Sequence, residues 1–246
     1  MKKRSPSAFT LVELLTVMVI ILILAGIVMG TIGYAQKKAA RSRALAEIHS
    51  MSSACESYRA DNGGYPRNAD TDKLDPNAAA ASSITQSSTY CKSVMWLYAC
   101  LSGDYNGDGV TNTTDGTAMY AALGVATTVT NLVPTHYMDF KDDMMGRNDM
   151  TLPVTGTYTA STGTATGNAI YYISDPFGSC YGYSTIKNKN VSVDLASTTS
   201  STTATTGNTA TQGNNPTFDL WSTAATVTAT TTSNYQTVQQ QWVKNW

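Results

Sequence analysis

The sequence predicts an α+β fold, in which one long N-terminal helix precedes a head built from strands and shorter helices. Three observations predict this fold. An uncharged run rich in Leu, Ile and Val occupies residues 14–33, and an amphipathic pattern with helical spacing follows it. In the second half of the chain, segments 154–158 and 169–173 alternate apolar and polar residues in places, a pattern that is typical of strands.

The apolar run at residues 14–33 has the length and composition of a membrane-spanning helix. About 20 residues at about 1.5 Å per residue cross a hydrocarbon core of about 30 Å. The run is too long for the apolar stretch of a secretory signal, and no A-x-A-like cleavage site follows it. We therefore expect a permanent single-pass anchor. The basic residues within positions 1–4 place the N-terminus in the cytoplasm and everything after Tyr34 outside it.

The amphipathic part of the helix covers residues 34–62. Apolar or small residues recur there three and four positions apart, and the expected buried face consists of Leu45, Ile48, Ser52, Cys55 and Tyr58. The Asn-Gly-Gly run at residues 62–64 ends the helix, and Pro66 prevents its return. From Phe9 to Ala60 a continuous helix would be about 78 Å long, with half of it in lipid and half under the head.

Composition and motifs argue against two classes of function. The formal net charge is −1 and charged residues make up 13% of the chain, whereas a nucleic-acid binder needs a basic face to displace counterions. The sequence has no nucleophile-elbow, zinc-protease or phosphate-loop motif, and neither His49 nor His136 lies in a recognisable catalytic or metal-binding spacing. We therefore expect neither nucleic-acid binding nor enzymatic activity.

Glu13 is a charged residue at the edge of the apolar run. A carboxylate that faces lipid is costly and should have a partner. We expect no partner for Glu13 within the same helix, which a plain membrane anchor would leave unexplained.

The segment around Glu13 resembles the leader of a known family. Residues 7–14, SAFTLVEL, are similar to the class III signal of type IV pilins and type II secretion pseudopilins. The resemblance implies that a prepilin peptidase cuts between Ala8 and Phe9, which makes residues 1–8 a leader, and methylates the new N-terminus at Phe9. It also implies that Glu13 pairs with the N-terminal amine of a neighbouring subunit. Ala8 departs from the Gly that usually precedes the cut.

Three further segments resemble the major pseudopilin of type II secretion systems. They are residues 58–66 (YRADNGGYP), 175–183 (DPFGSCYGY) and 218–222 (FDLWS), and the chain ends in a similar Asn-Trp pair. Thr226 stands where the family has a calcium-binding Asp, so we do not expect that calcium site here. A type IV pilus subunit for adhesion or surface interaction stays open as an alternative, and so does a lone membrane-anchored calcium receptor.

The resemblance also implies an architecture, partners and a location. The fold would be a pilin fold, in which the spanning half (9–33) and the amphipathic half (34–62) of one helix precede a head (63–246) with a small antiparallel sheet. The implied partners are other copies of the chain in a polymer, minor pseudopilins, prepilin peptidase, an inner-membrane assembly platform and membrane lipid. The chain would lie in the bacterial inner membrane with its head in the periplasm, and it would assemble into a periplasmic or surface filament.

A calcium-binding loop is predicted within the head at residues 104–115. Oxygen-bearing side chains stand at positions 1, 3, 5, 9 and 12 of an EF-hand-like spacing, with a backbone carbonyl at position 7 and Gly109 at the tight-turn position 6. The expected Ca2+ ligands are Asp104, Asn106, Asp108, Val110, Asn112 and Asp115. Flanking segments 93–101 and 117–123 predict helices. A metal-free surface turn is the alternative, since Asn, Asp and Gly also form turns.

The chain has four cysteines, Cys55, Cys91, Cys100 and Cys180, all in the part expected outside the cytoplasm. An even number in an oxidising compartment predicts two disulfides. If Cys91 and Cys100 share one helix, they lie on opposite sides and roughly 13 Å apart along its axis, which excludes a bond between them. We expect Cys55 to bond to one of these two and Cys180 to the other, with buried thiols as the alternative.

Three polar segments complete the head. Residues 140–149 are acidic and predict an exposed loop. Residues 196–217 are rich in Thr, Ser, Ala, Gly and Asn and predict a long loop, because they cannot bury much apolar surface. Residues 223–238 are also rich in Thr, which favours strands, and they predict either a hairpin arm or disorder.

Overall fold

The computed structural model describes residues 10–76, 89–124, 132–159, 163–188, 213–224 and 240–246. The chain divides into two compact units, Met1–Ser42 and Arg43–Trp246, and the first helix runs through the boundary between them. The first unit holds the N-terminal part of that helix, and the second holds every other helix and strand that the structure describes. The α+β fold class predicted from the sequence is confirmed.

Helix α1 spans Leu11–Asn62 and contains no proline. Gly63 ends the helix because its φ of +74° is a left-handed conformation that glycine adopts without steric cost. The Gly63 amide donates a hydrogen bond to the Arg59 carbonyl at 2.8 Å, which satisfies one of the last carbonyl groups of the helix. The predicted helix stop at residues 62–64 is confirmed.

The second half of α1 buries a face that differs from the predicted one. Its buried residues are Ala44, Glu47, Ile48, Met51, Ala54 and Cys55. Ile48 and Cys55 are buried as predicted, and Ser52 and Tyr58 are half-buried. The prediction for Leu45 is wrong, because 43% of this residue is exposed. Each residue turns a helix by about 100°, so a face inferred from a few apolar positions is easily displaced by one residue.

Seven short strands form three antiparallel sheets among the described residues. The pairs are β1 (Met145–Gly146) with β4 (Tyr172–Ile173), β2 (Tyr158–Thr159) with β3 (Thr164–Ala165), and β5 (Gly182–Ser184), β6 (Asp219–Ser222) and β7 (Val243–Lys244) in that order. In the three-stranded sheet Gly182 pairs with Trp221. A Cβ atom at Gly182 would stand 2.2 Å from the Trp221 ring, so only glycine lets the indole lie there.

Helix α2 (Thr89–Ser102) forms the centre of the head, and α3 (Thr113–Ala122) follows it after a loop. All residues of α2 except Thr89 and Lys92 are buried, which requires neighbours on every side of the helix. It packs against β4 and β5. Both helices were expected from the apolar segments that flank residues 104–115, and both predictions are confirmed.

The strands predicted in the central part of the chain are shorter than their patterns indicate. Segment 154–158 is a strand only at Tyr158, and segment 169–173 only at its last two residues. A single bridge pairs Thr155 with Asn168, which immediately precedes the second segment. The Asn168 side-chain amide donates to three carbonyl groups of residues 149–153, and these bonds favour a turn-rich path over an extended ladder. The segment 218–222, which resembles the major pseudopilin, forms β6 over Asp219–Ser222.

The predictions for the three polar segments are tested only in part by the described residues. Residues 196–212 of the predicted Thr-rich loop and residues 225–238 of the second Thr-rich segment lie outside the described residues. Residues 213–217 are described and contain no helix or strand. The acidic segment 140–149 is exposed at residues 141–143, as predicted, but it also forms β1 and buries Met144.

The buried carboxylate of Glu47 links the second half of α1 to the rest of the head. Glu47 is 7% exposed, and its Oε1 accepts a hydrogen bond from Arg43 Nε at 2.8 Å. Its Oε2 accepts a second from the Tyr181 hydroxyl at 2.7 Å. Arg43 also pairs with Asp143, which lowers the pKa of that carboxyl group. The sequence pattern does not identify this arrangement, because Glu47 stands on the helix face where apolar residues are expected.

Tyr181→Phe should lower the free energy of unfolding by about 1.5–3 kcal/mol, because it removes a hydrogen bond to a buried carboxylate. The measurement is urea unfolding of the full chain in detergent, followed by tryptophan fluorescence. All four tryptophans lie in the head, so the signal reports on the head alone.

Tyr65→Phe is the matched control for this prediction. Its hydroxyl donates to Glu56 at 2.9 Å in an exposed pair, where the loss should stay below about 1 kcal/mol. Equal losses in the two variants would show that burial does not strengthen the Tyr181 bond.

Candidate functional site

The N-terminal part of α1 exposes a long apolar surface. An 18-residue window of the helix has a mean hydropathy of 2.9, none of that window is buried, and among the described residues this is the one helix long and apolar enough to cross a membrane. Every Leu, Ile, Val and Met from Leu11 to Ile32 is exposed. Leaving them in water costs on the order of 20 kcal/mol, which exceeds the stability of a typical domain. The segment therefore needs lipid or neighbouring helices around it.

Glu13 takes part in a capping box at the start of α1. Its Oε2 accepts hydrogen bonds from the amide and the hydroxyl of Thr10, both at 2.9 Å, and its own amide donates to Thr10 Oγ1 at 3.3 Å. The expectation that nothing in the same helix partners Glu13 is therefore wrong. Thr10 offers neutral donors and no counter-charge, however, so it leaves the charge of the carboxylate uncompensated.

The capping box could have been recognised in the sequence, since Thr-x-x-Glu is its usual spacing. The predicted cleavage and methylation residues, Ala8 and Phe9, lie outside the described residues. A cut between them would put the new amine on the residue immediately before Thr10. The predicted processing site and the predicted assembly residue are therefore neighbours along the chain.

The loop between α2 and α3 follows the predicted calcium-binding segment. Gly109 has a φ of +82°, the left-handed conformation that position 6 of such a loop requires. Two backbone hydrogen bonds fix the loop to the rest of the head, from the Tyr158 amide to the Asn106 carbonyl and from the Ile170 amide to the Gly107 carbonyl.

Asp104, at position 1 of the loop, is buried and accepts four hydrogen bonds. The amides of Gly107, Asp108 and Gly109 donate to it at 2.6, 3.2 and 2.8 Å. The fourth donor is the Tyr98 hydroxyl at 2.8 Å. The Asp104 side chain therefore lies inside the turn and holds it closed.

The other predicted ligands are held in the same loop. Asn106 Oδ1 accepts from the Asp108 amide, and Asp108 Oδ1 accepts from the Val110 amide, both at 2.9 Å. Asp115 is fully buried and reaches back from α3, where it forms a capping box with Asn112. Its Oδ2 accepts from the Asn112 amide at 2.8 Å and its Oδ1 from the Asn106 amide at 3.1 Å. All six predicted positions are brought into one loop.

Negative charge accumulates in this loop. Burial raises the pKa of Asp104 to about 6, and the carboxylates of Asp115 and Asp108 add to the rise. Over the described ranges of the chain, no group of three or more His, Cys, Asp or Glu side chains is arranged to hold a metal ion. A calcium ion here would therefore need amide and carbonyl oxygens as well, and Asn106, Asn112 and Val110 carry them.

The segments that resemble the major pseudopilin meet around β6. Three contacts join them to this strand and its first flanking residue: Asp175 accepts from the Ser222 hydroxyl, Asn245 accepts from the Leu220 amide at 2.9 Å, and the Tyr65 ring packs against Phe218 with centroids 5.1 Å apart. Segments that are far apart in sequence thus form one packing unit beside α1 and α2.

Asp219 in β6 is buried, and its carboxylate accepts hydrogen bonds from the amides of Asn214 and Asn215, both at 2.7 Å. Burial raises its pKa to about 6 despite these bonds. A carboxyl group whose pKa is higher in the folded state binds its proton more tightly there. Its contribution to stability therefore grows as the pH falls through about 6 toward the unfolded value of about 4.

All four cysteines predicted to form disulfides are buried, and the structure contains no bond between them. Cys91 and Cys100 share α2 and belong to two different apolar clusters, which agrees with the exclusion of a bond between them. Cys180 is hydrogen-bonded to Cys91, and Cys55 lies near enough to Cys100 to interact with it electrostatically. The disulfides themselves stay a prediction.

Comparison with known families gives the class of protein. Residues 3–29 match the family described as the prokaryotic N-terminal methylation motif. The match includes the segment 7–14 and most of the exposed apolar part of α1. Residues 3–29 therefore carry a prepilin-like motif, and this motif and the apolar helix are consistent with membrane anchoring.

Two curated proteins are also similar to this chain. Type II secretion system core protein G of Aeromonas hydrophila is 38% identical over 66 residues, and that of Klebsiella michiganensis is 36% identical over 66 residues. Each alignment covers 27% of this chain and 46% of the relative, so the chain spans about half the length of the curated relatives it matches. No solved structure matches the chain. The chain is similar to these relatives over part of its length, and the resemblance to pseudopilins predicted from the sequence is confirmed.

The free energy of unfolding should rise as the pH is lowered from about 7.5 to about 5, and Asp219→Asn should show a smaller rise because an amide binds no proton in this range. Burial also raises the pKa of Asp104 to about 6 and that of Asp175, so the variant should keep part of the effect. Urea unfolding of the full chain in detergent at several pH values measures it. Asp142→Asn, on an exposed side chain, should behave like the wild type. A full rise in Asp219→Asn would contradict the prediction.

Proposed function

We propose that the chain is a structural subunit of a pilus-like filament, most closely the major pseudopilin of a type II secretion system that polymerises to drive protein export. The observation that carries this proposal is the match of residues 3–29 to the N-terminal methylation motif, within a chain whose apolar helix is wholly exposed. The two core protein G relatives support a secretion system as the setting. In a filament subunit, such a helix is surrounded first by lipid and then, after assembly, by the helices of its neighbours.

Apolar burial supplies the cohesion of the proposed filament. Side chains between Leu11 and Ile32 that face lipid before assembly would face other copies of α1 afterwards. Gly26, Gly30 and Gly33 have open space where a Cβ would stand, and small residues of this kind let neighbouring helices approach closely. The same surface thus serves as anchor and as assembly interface.

Charge pairing would set the register between subunits. The Thr10 cap gives Glu13 hydrogen bonds but no positive charge. Cleavage before Phe9 would create an amine that is cationic at neutral pH, and the amine of an adjacent subunit is the counter-charge that Glu13 lacks. An unpaired carboxylate in an apolar environment is costly, so subunits in the paired register are favoured over shifted ones.

The proposal includes a location and a set of partners. The chain would be anchored in the bacterial inner membrane with its head in the periplasm, and a prepilin peptidase would process it. Its partners would be further copies of itself, minor pseudopilins and an inner-membrane assembly platform. Its role would be structural, without catalysis by this chain.

A type IV pilus subunit is the second candidate, because the N-terminal methylation motif at residues 3–29 fits it equally well. The gene neighbourhood separates the two. Secretion genes beside this gene would support the pseudopilin, and pilus retraction genes would support the pilus subunit.

Glu13→Ala should insert into the membrane normally but fail to assemble, because the apolar helix is unchanged while the partner of the neighbouring amine is lost. Filament yield after shearing and sedimentation measures assembly, and membrane fractionation measures insertion. We expect the yield to fall at least about tenfold, since each subunit contact loses a few kcal/mol.

Glu56→Ala is the control for this experiment. It removes an exposed carboxylate from the same helix, outside the apolar segment, and it should assemble like the wild type. A wild-type yield of filaments from Glu13→Ala would contradict the proposed pairing.

We further propose that the loop at residues 104–115 binds one structural Ca2+. The EF-hand-like spacing of the six predicted ligands, the left-handed Gly109 and the mutual repulsion of three carboxylates support this proposal. A bound cation would offset that repulsion and fix α3 relative to α2. Carboxylate, amide and backbone oxygens are the donors that Ca2+ prefers.

Isothermal calorimetry of the full chain in detergent should detect one Ca2+ per chain, and Asp104→Ala combined with Asp108→Ala should abolish the uptake. The control is Asp142→Ala combined with Asp149→Ala, which removes the same charge from the other acidic segment and should leave uptake unchanged. Absence of uptake by the wild type, or normal uptake by the first variant, would refute calcium binding at this loop.

A further inference from the structure

Cys91 and Cys180 lie side by side in the core of the head. Cys91 in α2 is fully buried, and Cys180, just before β5, is 3% exposed. Both belong to the same apolar cluster, and their side chains are within hydrogen-bonding distance of each other. Two buried thiols that lie within hydrogen-bonding reach of each other, on elements far apart in sequence, are candidates for a disulfide.

The neighbouring contacts explain why the two cysteines meet. Helix α2 packs against β5, and Tyr90, next to Cys91, lies edge-on to Trp221 with ring centroids 5.8 Å apart. The Trp221 indole lies across Gly182. Cys180 and Gly182 are two residues apart in extended chain, so their side-chain positions share one face. The face that carries Cys180 is therefore the face that α2 covers.

Cys55 and Cys100 have different surroundings. Cys100 Sγ accepts a hydrogen bond from the Tyr105 hydroxyl at 3.6 Å, and the Tyr58 side chain also hydrogen-bonds to it. Cys55 lies in the main core cluster, whereas Cys100 lies in the smaller one. Hydroxyl groups therefore engage Cys100, while Cys180 has a second thiol beside it and also donates to the Tyr181 carbonyl at 3.2 Å.

We propose that Cys91 and Cys180 form a single structural disulfide and that Cys55 and Cys100 remain thiols. Each bonded cysteine gives up one proton and one electron as the S–S bond forms. The oxidant is a disulfide-bearing oxidoreductase. One cysteine thiolate attacks the disulfide of the oxidant and forms a mixed disulfide. The second cysteine thiolate then attacks the sulfur of the first cysteine and expels the oxidant, which leaves as a dithiol that carries both protons.

Burial determines when this bond forms. Neither thiol is accessible in the folded head, and burial disfavours the thiolate that must attack the oxidant. The bond therefore forms while the head folds, and the closed core then shields it from reductants. The inference rests on the proposed function for the location of the head outside the cytoplasm, where such oxidants act.

Oxidative refolding of the full chain in detergent tests the pairing independently of export. The reduced, denatured chain is refolded in oxidised and reduced glutathione, thiols are blocked with N-ethylmaleimide in denaturant, and non-reduced tryptic peptides are mapped by mass spectrometry. Lys92 lies between Cys91 and Cys100, so trypsin places each cysteine in its own peptide. We expect one cross-linked pair, Cys91 with Cys180, and maleimide on Cys55 and Cys100.

Any other cross-link, or four labelled cysteines, would overturn the proposal. The same map of chain extracted from cell membranes separates this proposal from the proposed function. A Cys91–Cys180 cross-link after refolding, together with four labelled cysteines in the cell, would support the pairing and contradict the exported location.

Paired variants give an independent readout. Reductant should raise the equilibrium constant for unfolding of the wild type on the order of 10³-fold, because it opens a covalent loop of about 90 residues. Cys55→Ala combined with Cys100→Ala should keep that sensitivity, and Cys91→Ala combined with Cys180→Ala should lose it. Equal sensitivity in the two double variants would contradict the assignment.

Discussion

The exposed apolar surface of α1 is the constraint on which the rest of the molecule depends. Between residues 11 and 32 the helix carries a single charged residue, Glu13, and buries no side chain. Such a surface is unfavourable in water, so its final environment must be lipid or other helices. A filament subunit uses both in turn, which explains why one uninterrupted helix would serve first as anchor and then as interface. In the proposed filament, Glu13 would meet the processed N-terminus of a neighbour.

The head holds the second half of the same helix through interactions of a different kind. Glu47 is buried between Arg43 and Tyr181, and Ile48 and Met51 pack into the apolar core. The centre of that core is α2, which is covered on nearly every side. Near the start of α2, Cys91 faces Cys180. At its end, Ser102 precedes the predicted calcium-binding loop at residues 104–115. Covalent and ionic stabilisation would both act on this one helix.

Sequence reasoning succeeds where a local pattern decides the structure and fails where packing decides it. The end of α1 at Gly63 and the helices around residues 104–115 follow from local signals, and they are present. The predicted buried face of α1 is displaced toward Leu45 from the face that the structure buries. Packing in the head, and not the local sequence, fixes the rotation of the helix. Burial of Glu47 could not be predicted, since its partner Tyr181 is distant in sequence. The Thr10 cap was local and recognisable, but it was missed.

The central claim is that cleavage exposes an amine for Glu13 of an adjacent subunit, and the mature N-terminus tests it most directly. Mass spectrometry of the chain purified from cell membranes identifies that residue and its modification. The account predicts a chain that begins at Phe9 and carries one methyl group on its terminal nitrogen. An N-terminus that still holds residues 1–8, or a cut anywhere else, would contradict it, because Glu13 would then lack the counter-charge that assembly requires.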